Sequence, residues 1–277
     1  MDWRQVRDWL LSGEKGPVLI ASHRGKWGGN VIENTVTAFE NAIFQGADLL
    51  EMDLELTADG HIVCHHDPDM RRLFHRDGKI GELHLEDLME LPVYNGYGEP
   101  SGERLSLFSQ VLEAFRGRAM LVLDRCWDFW DEVDAAVKKA GMERQVILKF
   151  YTGDEKSWEW AAGHREYLLF PMMRKAEDLG EILSFLGKAA VVGVEILPDG
   201  PEDPVLSGEY IAALHGHGLK VWCNSLSYST GLIFGGGFDD NLSLRQGGDA
   251  GWGQLVSRGV DIIQTDWVFE LADYLQR

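Results

Sequence analysis

The chain has 277 residues and carries 26 lysines and arginines against 45 aspartates and glutamates, a formal net charge of −19. So acidic a balance argues against nucleic acid and anionic membranes as general partners. The length is usual for one α/β barrel, which typically takes roughly 250 residues. We therefore expect a single domain over residues 1–277.

Three cysteines, an odd number, give no disulfide framework. A reduced, cytoplasmic setting is therefore expected. Residues 2–12 predict a short amphipathic helix with charges inside it, which lacks the continuous apolar stretch of a signal peptide. No segment approaches the roughly 20 apolar residues that span a bilayer, so we expect no stable membrane insertion.

The first elements alternate between strand and helix. An apolar run at 18–23 predicts a strand, and helical periodicity follows at 33–46. Residues 47–56 alternate in polarity, and we expect this second strand to continue at 61–66. Strand, helix and strand in this order need a parallel pairing. We expect the helix of residues 2–12 to cover the N-terminal end of the resulting barrel.

Residues 68–104 interrupt this rhythm with turn signals such as Asp77-Gly78. Only residues 84–91 have a helical pattern. The segment is too long for a plain loop in a compact domain. We predict an inserted subdomain at the mouth of the barrel, where a substrate would be sized. The alternative is a surface excursion with no role in binding.

From residue 105 onward, helices and strands alternate again. Together with the first two strands they predict an α/β fold, a (β/α)8 TIM barrel with a small insertion after strand 2. Active sites of such barrels lie at the carboxyl ends of the strands. A glycine-rich loop at 227–258 would edge this site, and its acidic cluster is expected to be a solvated turn. The six further strands are expected at 119–125, 145–150, 167–173, 190–197, 219–225 and 260–266.

Two carboxylates and two histidines lie at expected strand ends. Side chains alternate along a strand, so Glu51 and Asp53 share a face, about 7 Å apart. Such a pair is costly unless a cation lies between the carboxylates, and Mg²⁺ and Ca²⁺ prefer oxygen ligands. Histidine moves protons at neutral pH, so His23 and His66 would supply a base and an acid for attack on a phosphate ester. A shift of one residue would put His65 in place of His66.

The order and spacing of these residues are similar to a known family. The chain resembles the glycerophosphodiester phosphodiesterases in the motifs His23-Arg24-Gly25, Glu33-Asn34-Thr35, Glu51-x-Asp53, Thr57-x-Asp59-Gly60 and His66-Asp67. The resemblance implies an eight-stranded barrel that depends on a divalent cation. It implies that His23 and His66 act as acid and base. It also implies that Glu51 and Asp53 bind the cation and that Arg24 holds phosphate.

The expected third strand departs from the family pattern. Asp124 stands where the family usually has a glutamate as a further metal ligand, and Cys126 replaces the lysine expected two residues later. Lys149 or Arg125 would supply that charge, and the expected strand faces favour Lys149. Trp222, similar to the family's tryptophan on the seventh strand, either floors the substrate pocket or belongs to the core. We assign Lys149 and Trp222 to the substrate site.

These residues predict an enzyme: a metal-dependent hydrolase that converts a small glycerophosphodiester to glycerol 3-phosphate and an alcohol, with one bound Mg²⁺ or Ca²⁺. A lysophospholipase D, or a phospholipase-like lyase that releases a cyclic phosphate, would use the same site. The many charges of residues 68–104 favour soluble diesters over lipids. A binding barrel without turnover is the third alternative, supported only by the altered third strand.

Overall fold

The structure is a computed structural model that describes residues 1–228 and 232–276. Within this part of the chain there are nine strands: β1 (Leu19–Ser22), β2 (Leu49–Leu56), β3 (Ile62–Cys64), β4 (Met120–Asp124), β5 (Val146–Tyr151), β6 (Leu168–Met173), β7 (Gly193–Ile196), β8 (Lys220–Asn224) and β9 (Ile262–Thr265). The same part contains twelve α-helices: α1 (Trp3–Ser12), α2 (Val36–Phe44), α3 (Arg71–Phe74), α4 (Leu85–Glu90), α5 (Phe108–Phe115), α6 (Trp130–Ala140), α7 (Glu155–Gly163), α8 (Leu179–Phe185), α9 (Gly208–Gly216), α10 (Asp240–Gln246), α11 (Trp252–Arg258) and α12 (Val268–Tyr274). Among the described residues, we find no helix whose length and hydropathy would let it span a bilayer.

The strands other than β3 form a closed parallel barrel, because β1 pairs with both β2 and β9. This confirms the predicted (β/α)8 fold. β3 instead runs antiparallel to β2, with Leu54 opposite Cys64. The expectation that residues 61–66 continue the second strand is therefore wrong. The chain reverses at Gly60, whose φ of +81° favours glycine, and the predicted third to eighth strands correspond to β4–β9.

Alternation along the strands divides the core into two layers. Leu49 and Val122 lie in the interior of the barrel, whereas Leu50 packs outward in the layer that contains the helices. Leu10 of α1 belongs to the interior cluster, so α1 covers the N-terminal end of the barrel as predicted. Truncating a buried leucine of this kind typically costs about 2–5 kcal/mol. On the interior face of β2, the next residue after Leu49 is Glu51. The face is therefore apolar at Leu49 and polar from Glu51 onward.

The inserted segment, residues 68–104, has a small hydrophobic cluster of its own. α4 confirms the helix expected at 84–91. The cluster also includes residues from the flanking chain, among them Val63 and Leu105. Its members within the insertion are Met70, Leu73, Phe74, Ile80, Leu88 and Val93. The segment is therefore held by packing of its own.

The connection between β8 and β9 differs from the loop expected at 227–258, because it contains α10 and α11. Residues 229–231 of that loop lie outside the described residues. Asp240, expected in a solvated turn, is 1% exposed. Its Oδ1 accepts hydrogen bonds from Ser225 Oγ at 2.6 Å and Trp252 Nε1 at 2.8 Å. The acidic cluster therefore fastens α11 to the end of β8.

Candidate active site

A cavity of about 540 Å³ opens at the carboxyl ends of the barrel strands. Trp222 does not line it, and neither does any residue of 68–104. The predicted site residues that line the cavity are His23, Arg24, Glu51, Asp53, His66, Asp124 and Lys149. The structure thus brings together side chains that lie far apart in sequence.

Three carboxylates form a cluster at the ends of β2 and β4. The register pairs Asp53 directly with Asp124, and Glu51 lies two residues earlier on the same face. One oxygen of each residue lies within 4.8 Å of the others. Glu51 and Asp53 are 1% and 2% exposed. A buried set of oxygen donors is the environment that Mg²⁺ and Ca²⁺ prefer, so these residues fit the expected cation.

The electrostatics of this cluster favour a positive charge beside it. Burial, and then the charge of Asp53, raise the pKa of Glu51 well above its usual range. Burial acts on Asp53 in the same direction, but Arg24 and then His66 lower the pKa of Asp53 overall. The cluster therefore holds more negative charge than its burial alone would favour. A bound cation would stabilise this buried negative charge.

Lys149 lies beside the carboxylate cluster. Its Nζ is 2.7 Å from Glu195 Oε2 and 3.1 Å from Asp124 Oδ2. Burial works against its charge, but Asp124 and Glu195 raise the pKa of Lys149 overall, so the ammonium stays protonated. Arg125 also lines the cavity, but at an exposed position. The buried position of Lys149 supports it over Arg125 as the replacement for the missing third-strand lysine.

His23 follows β1 and pairs with Asp266, which follows β9. Ser22 is the register partner of Thr265, so the residues that follow them, His23 and Asp266, come together. His23 Nδ1 lies 2.8 Å from Asp266 Oδ1. A proton on Nδ1, shared with this carboxylate, leaves Nε2, which the Tyr228 hydroxyl approaches to 3.4 Å, as the nitrogen that would exchange a proton with a bound molecule.

His66 has the same arrangement with its chain neighbour, Asp67. The two groups are 2.9 Å apart, from Nδ1 to Oδ1. Burial raises the pKa of Asp67, but hydrogen bonds from His66 and Arg72 hold it far below its usual range. An ionised Asp67 accepts the Nδ1 proton and again leaves Nε2 free. The cavity thus has two histidine–carboxylate pairs of the same kind.

His65 faces away from the cavity. It is 1% exposed, and its Nδ1 lies 2.9 Å from Glu55 Oε2. His66 is therefore the histidine brought to the site, as the sequence predicted. The strand nevertheless ends at Cys64, so strand alternation is not what orients His66.

Arg24 connects the two sides of the cavity. It is 4% exposed, with Nε at 3.2 Å from Asp53 Oδ2 and Nη1 at 2.8 Å from Glu33 Oε1. Its φ of +56° and the φ of +58° of Asn34 are left-handed, which is costly for residues with a Cβ. Asn34 Nδ2 donates to Asp53 Oδ2 at 3.1 Å. The strained backbone thus lies where it directs two polar side chains to the carboxylate cluster.

Trp222 lies in the interior cluster of the barrel. It is fully buried, and its Nε1 donates to Asn224 Oδ1 at 2.9 Å and to Gln264 Oε1 at 3.1 Å. Lys149 Nζ lies 5.2 Å from the centre of its ring, within the range of a cation–π contact. Trp222 is not among the side chains that line the cavity, whereas Asn224, two residues later on β8, is. The assignment of Trp222 to substrate contact stays a prediction.

Sequence reasoning missed several polar partners. Asp266 carried a signal, since it is the final residue of the last expected strand, but it was given no role. Tyr228 had none: its hydroxyl accepts from Arg24 Nη2 at 3.1 Å and lies 3.4 Å from His23 Nε2. Glu195 contacts Lys149, and Arg72 contacts Asp67. No local sequence pattern predicts either contact.

The three cysteines are unpaired and buried. Burial raises the thiol pKa of Cys64, Cys126 and Cys223. Thiols of this kind are poor nucleophiles, so the cysteines fill space in the core.

Comparison with protein-family models matches residues 23–164 to the Glycerophosphoryl diester phosphodiesterase family. A second model, described as a domain of unknown function, matches residues 170–275. The first match includes both histidines and all three carboxylates of the cluster.

Curated relatives match parts of the chain. The glycerophosphodiester phosphodiesterase of Caldanaerobacter subterraneus subsp. tengcongensis is 37% identical over 105 residues, covering 38% of this chain and 43% of the relative. The human lysophospholipase D GDPD3 is 37% identical over 146 residues, covering 51% of this chain and 42% of the relative. These matches span less than half the length of either relative.

Solved structures share the whole fold. A glycerophosphoryl diester phosphodiesterase from Parabacteroides distasonis has a TM-score of 0.79 at 20% identity, covering 100% of this chain and 92% of that one. An Oleispira antarctica phosphodiesterase, solved with the product sn-glycerol-3-phosphate, has a TM-score of 0.68 at 20% identity, covering 94% and 97%. The first family model matches more than half of the residues of this chain, and the chain therefore belongs to the glycerophosphoryl diester phosphodiesterase family.

Proposed function

We propose that the chain is a hydrolase that converts glycerophosphodiesters to glycerol 3-phosphate and an alcohol, with one divalent cation, Mg²⁺ or Ca²⁺. One observation carries the proposal. Two histidines, each paired through Nδ1 with a carboxylate, line the same cavity as three clustered carboxylates. Two proton-transferring histidines beside a site for a cation suit metal-assisted acid–base cleavage of one phosphodiester.

Glu51, Asp53 and Asp124 would hold the cation. Bound there, it supplies Lewis acidity and positive charge against the charge that develops on the phosphoryl oxygens. Arg24 and Lys149 add fixed positive charges at the cavity wall. These local charges offset the net charge of −19, which would otherwise repel an anionic diester. The Debye length of about 8 Å at physiological salt confines that repulsion.

The two histidines move the protons. Nε2 of one accepts a proton from the attacking water as its oxygen bonds to phosphorus. Nε2 of the other donates a proton to the ester oxygen of the leaving alcohol as that P–O bond breaks. Asp266 and Asp67, each hydrogen-bonded to Nδ1, stabilise the imidazolium forms and hold the ring orientation.

A lysophospholipid is the second candidate substrate, with the same bond cleaved. Leu232 and Ile233 at the edge of the cavity are 54% and 53% exposed. An acyl chain leaving the cavity would cover such side chains, at roughly 25 cal/mol for each Å² of apolar surface buried.

The proposal includes a reduced, cytoplasmic setting and a place in lipid and glycerol metabolism. The three unpaired cysteines support the first part, and the proposed product supports the second. The acidic net charge supports the absence of nucleic acid as a partner.

The test is a substrate screen with metal control. Protein stripped with EDTA and then given Mg²⁺ or Ca²⁺ is offered glycerophosphocholine, glycerophosphoethanolamine, glycerophosphoglycerol and lysophosphatidylcholine. We expect glycerol 3-phosphate from at least one diester, loss of activity with EDTA, and recovery with one cation. Release of choline from lysophosphatidylcholine alone would favour the second candidate.

Asp53→Asn should abolish turnover, whereas Asp8→Asn, the same change on α1 at the opposite end of the barrel, should not. The absence of phosphate-containing products with every substrate and cation would contradict the proposal. Turnover that EDTA does not affect would remove the cation from it.

A further inference from the structure

We infer that Arg72 is a positioning residue that fixes His66 and Arg24 relative to each other. The inference rests on the proposed function, because those two side chains carry its proton transfer and phosphate binding. It gives the inserted segment a role in the site, although none of residues 68–104 lines the cavity.

His66 lies on a stretch of chain without regular structure. β3 ends at Cys64, and α3 begins at Arg71. No strand ladder or helix therefore fixes His66 in this described stretch. Its ring orientation depends on the contact of Nδ1 with Asp67, so whatever holds Asp67 also holds His66.

Arg72 holds Asp67 with two hydrogen bonds. Nε donates to Oδ2 at 2.7 Å and Nη2 donates to Oδ1 at 2.9 Å. The side chain of Asp67 is 14% exposed. Such a bidentate contact fixes the plane of the carboxylate as well as its position. Arg72 thereby sets the oxygen that receives the Nδ1 proton of His66.

The same guanidinium also holds Glu33. Nη1 donates to Oε2 and Nη2 to Oε1, each at 2.7 Å. Glu33 is 3% exposed and accepts a further hydrogen bond from Arg24 Nη1 at 2.8 Å. Arg72 is therefore one hydrogen-bonded partner away from Arg24 and one from His66.

Only arginine has the geometry for this role. Four donated hydrogen bonds from one planar group reach two carboxylates, which neither an ammonium nor an amide can reproduce. The neighbouring residues Leu73 and Phe74 are buried in the cluster of the insertion, so the backbone of α3 is fixed. The Arg72 side chain is 47% exposed, but its partner Glu33 is only 3% exposed, and removing one partner of a buried ion pair costs stability. The effect of Arg72 on turnover is therefore measured as kcat per folded molecule.

Arg72→Gln is the test, and Arg71→Gln is its matched control. Arg71 lies on the same helix but is 72% exposed and pairs with Asp77 at 2.8 Å, outside the site. With the best diester of the screen, we expect Arg72→Gln to lower kcat by about 10- to 100-fold, the range for such supporting partners. Arg71→Gln should stay within about twofold of the wild type, since it removes only an exposed ion pair. Thermal unfolding should show a larger loss of stability in Arg72→Gln than in Arg71→Gln, because the partner Glu33 is buried.

A second readout does not depend on turnover. Nitrogen-15 NMR of histidine-labelled protein reports which ring nitrogen of His66 carries the proton, with the His66 signal identified by its loss in His66→Ala. We expect protonated Nδ1 in the wild type and Arg71→Gln, and a mixed tautomer in Arg72→Gln. If Arg72→Gln does not fold, Asp67→Asn removes the same link and should give the same mixture.

An unchanged His66 tautomer in Arg72→Gln, or kcat within about threefold of the wild type where the protein turns over, would overturn the inference. If no variant and no wild-type protein cleaves a diester, the proposed function fails, and the tautomer measurement alone decides the role of Arg72.

Discussion

The two histidines of the cavity are held in different ways. His23 and Asp266 follow neighbouring strands of the barrel, so the backbone ladder between β1 and β9 brings them together. His66 and Asp67 are adjacent in the chain and lie outside regular structure, where Arg72 of the insertion holds the carboxylate. One half of the site is therefore built by the barrel, and the other half is built by charged side chains.

The two halves also differ in how their carboxylates respond to pH. Burial raises the pKa of Asp240, on the barrel side, to about 7. On the insertion side, burial acts in the same direction, but hydrogen bonds from Arg72 hold the pKa of Glu33 below its usual value. The stability that Asp240 contributes on the barrel side should therefore be lost as pH rises. The stability that Glu33 contributes on the insertion side should be lost as pH falls.

The largest expected effect tests whether both halves serve one reaction. His23→Ala and His66→Ala should each lower kcat by about 10²- to 10⁴-fold, the usual contribution of a general acid or base. Steady-state assays of glycerol 3-phosphate release measure this. His65→Ala, whose ring contacts Glu55 instead, should keep kcat per folded molecule within about threefold. A large loss in His65→Ala and none in His66→Ala would reverse the assignment.

The next effect concerns the pH dependence of the barrel half. Since the folded pKa of Asp240 of about 7 exceeds its unfolded value, the folded state binds more protons between about pH 4 and 7, and stability falls as pH rises through that window. The stability advantage of the wild type over Asp240→Asn should shrink by about 3 kcal/mol from pH 5 to pH 8. Urea unfolding at both pH values measures it.

The insertion half gives the opposite sign and serves as the control. The depressed pKa of Glu33 means that its contribution is present above the unfolded pKa and is lost as pH falls through the folded value. The stability difference between the wild type and Glu33→Gln should therefore shrink toward acid pH. A difference independent of pH for Asp240→Asn would contradict the asymmetry.

Smaller effects separate the two carboxylate partners. Asp266→Asn and Asp67→Asn should each lower kcat by about 10- to 100-fold. Adding Arg72→Gln should multiply the loss in Asp266→Asn in full, but should reduce kcat by a smaller factor in Asp67→Asn, because Arg72 and Asp67 share a contact and only the route through Glu33 remains. The measurement is a double-mutant cycle, in which the kcat of each double variant is compared with the kcat values of its two single variants. Equal multiplication in both backgrounds would show that Arg72 does not act through Asp67.

The smallest expected effect is at the carboxylate that departs from the family pattern. Asp124→Glu should change the ratio of activities with Mg²⁺ and Ca²⁺ by about threefold or more, because ligand reach sets the preferred ion size. The relative kcat/KM of two diesters should hardly change. Activity titrations with each cation test this, and unaltered preference would argue that Asp124 does not bind the ion.

The barrel could be predicted because its strands and helices each have a clear period, and because Glu51 and Asp53 must share a face on any regular strand. Asp124 followed from the end of the third expected strand and its resemblance to the family. Alternation gives the face of a strand but not the depth in the barrel. Trp222 was therefore assigned to the substrate site, whereas Asn224 is the residue of β8 that lines the cavity.

The supporting contacts could not be predicted, because they join distant parts of the chain. Arg72 reaches Glu33 across 39 positions of sequence, and His23 reaches Asp266 across 243. No periodic pattern in the sequence relates residues at either of these separations. The position of His66 was predicted through alternation along a strand, yet the strand ends at Cys64, so a side-chain network does what the backbone was expected to do.

We expect these two differently held histidines to act on one phosphorus beside the carboxylate cluster. The decisive experiment is a crystal structure with glycerol 3-phosphate and Ca²⁺. We expect Nε2 of both His23 and His66 within about 3.2 Å of phosphate oxygens, and the ion bound by Glu51, Asp53 and Asp124. Either Nε2 lying beyond the reach of a hydrogen bond or a single intervening water, or an ion bound elsewhere, would contradict the account.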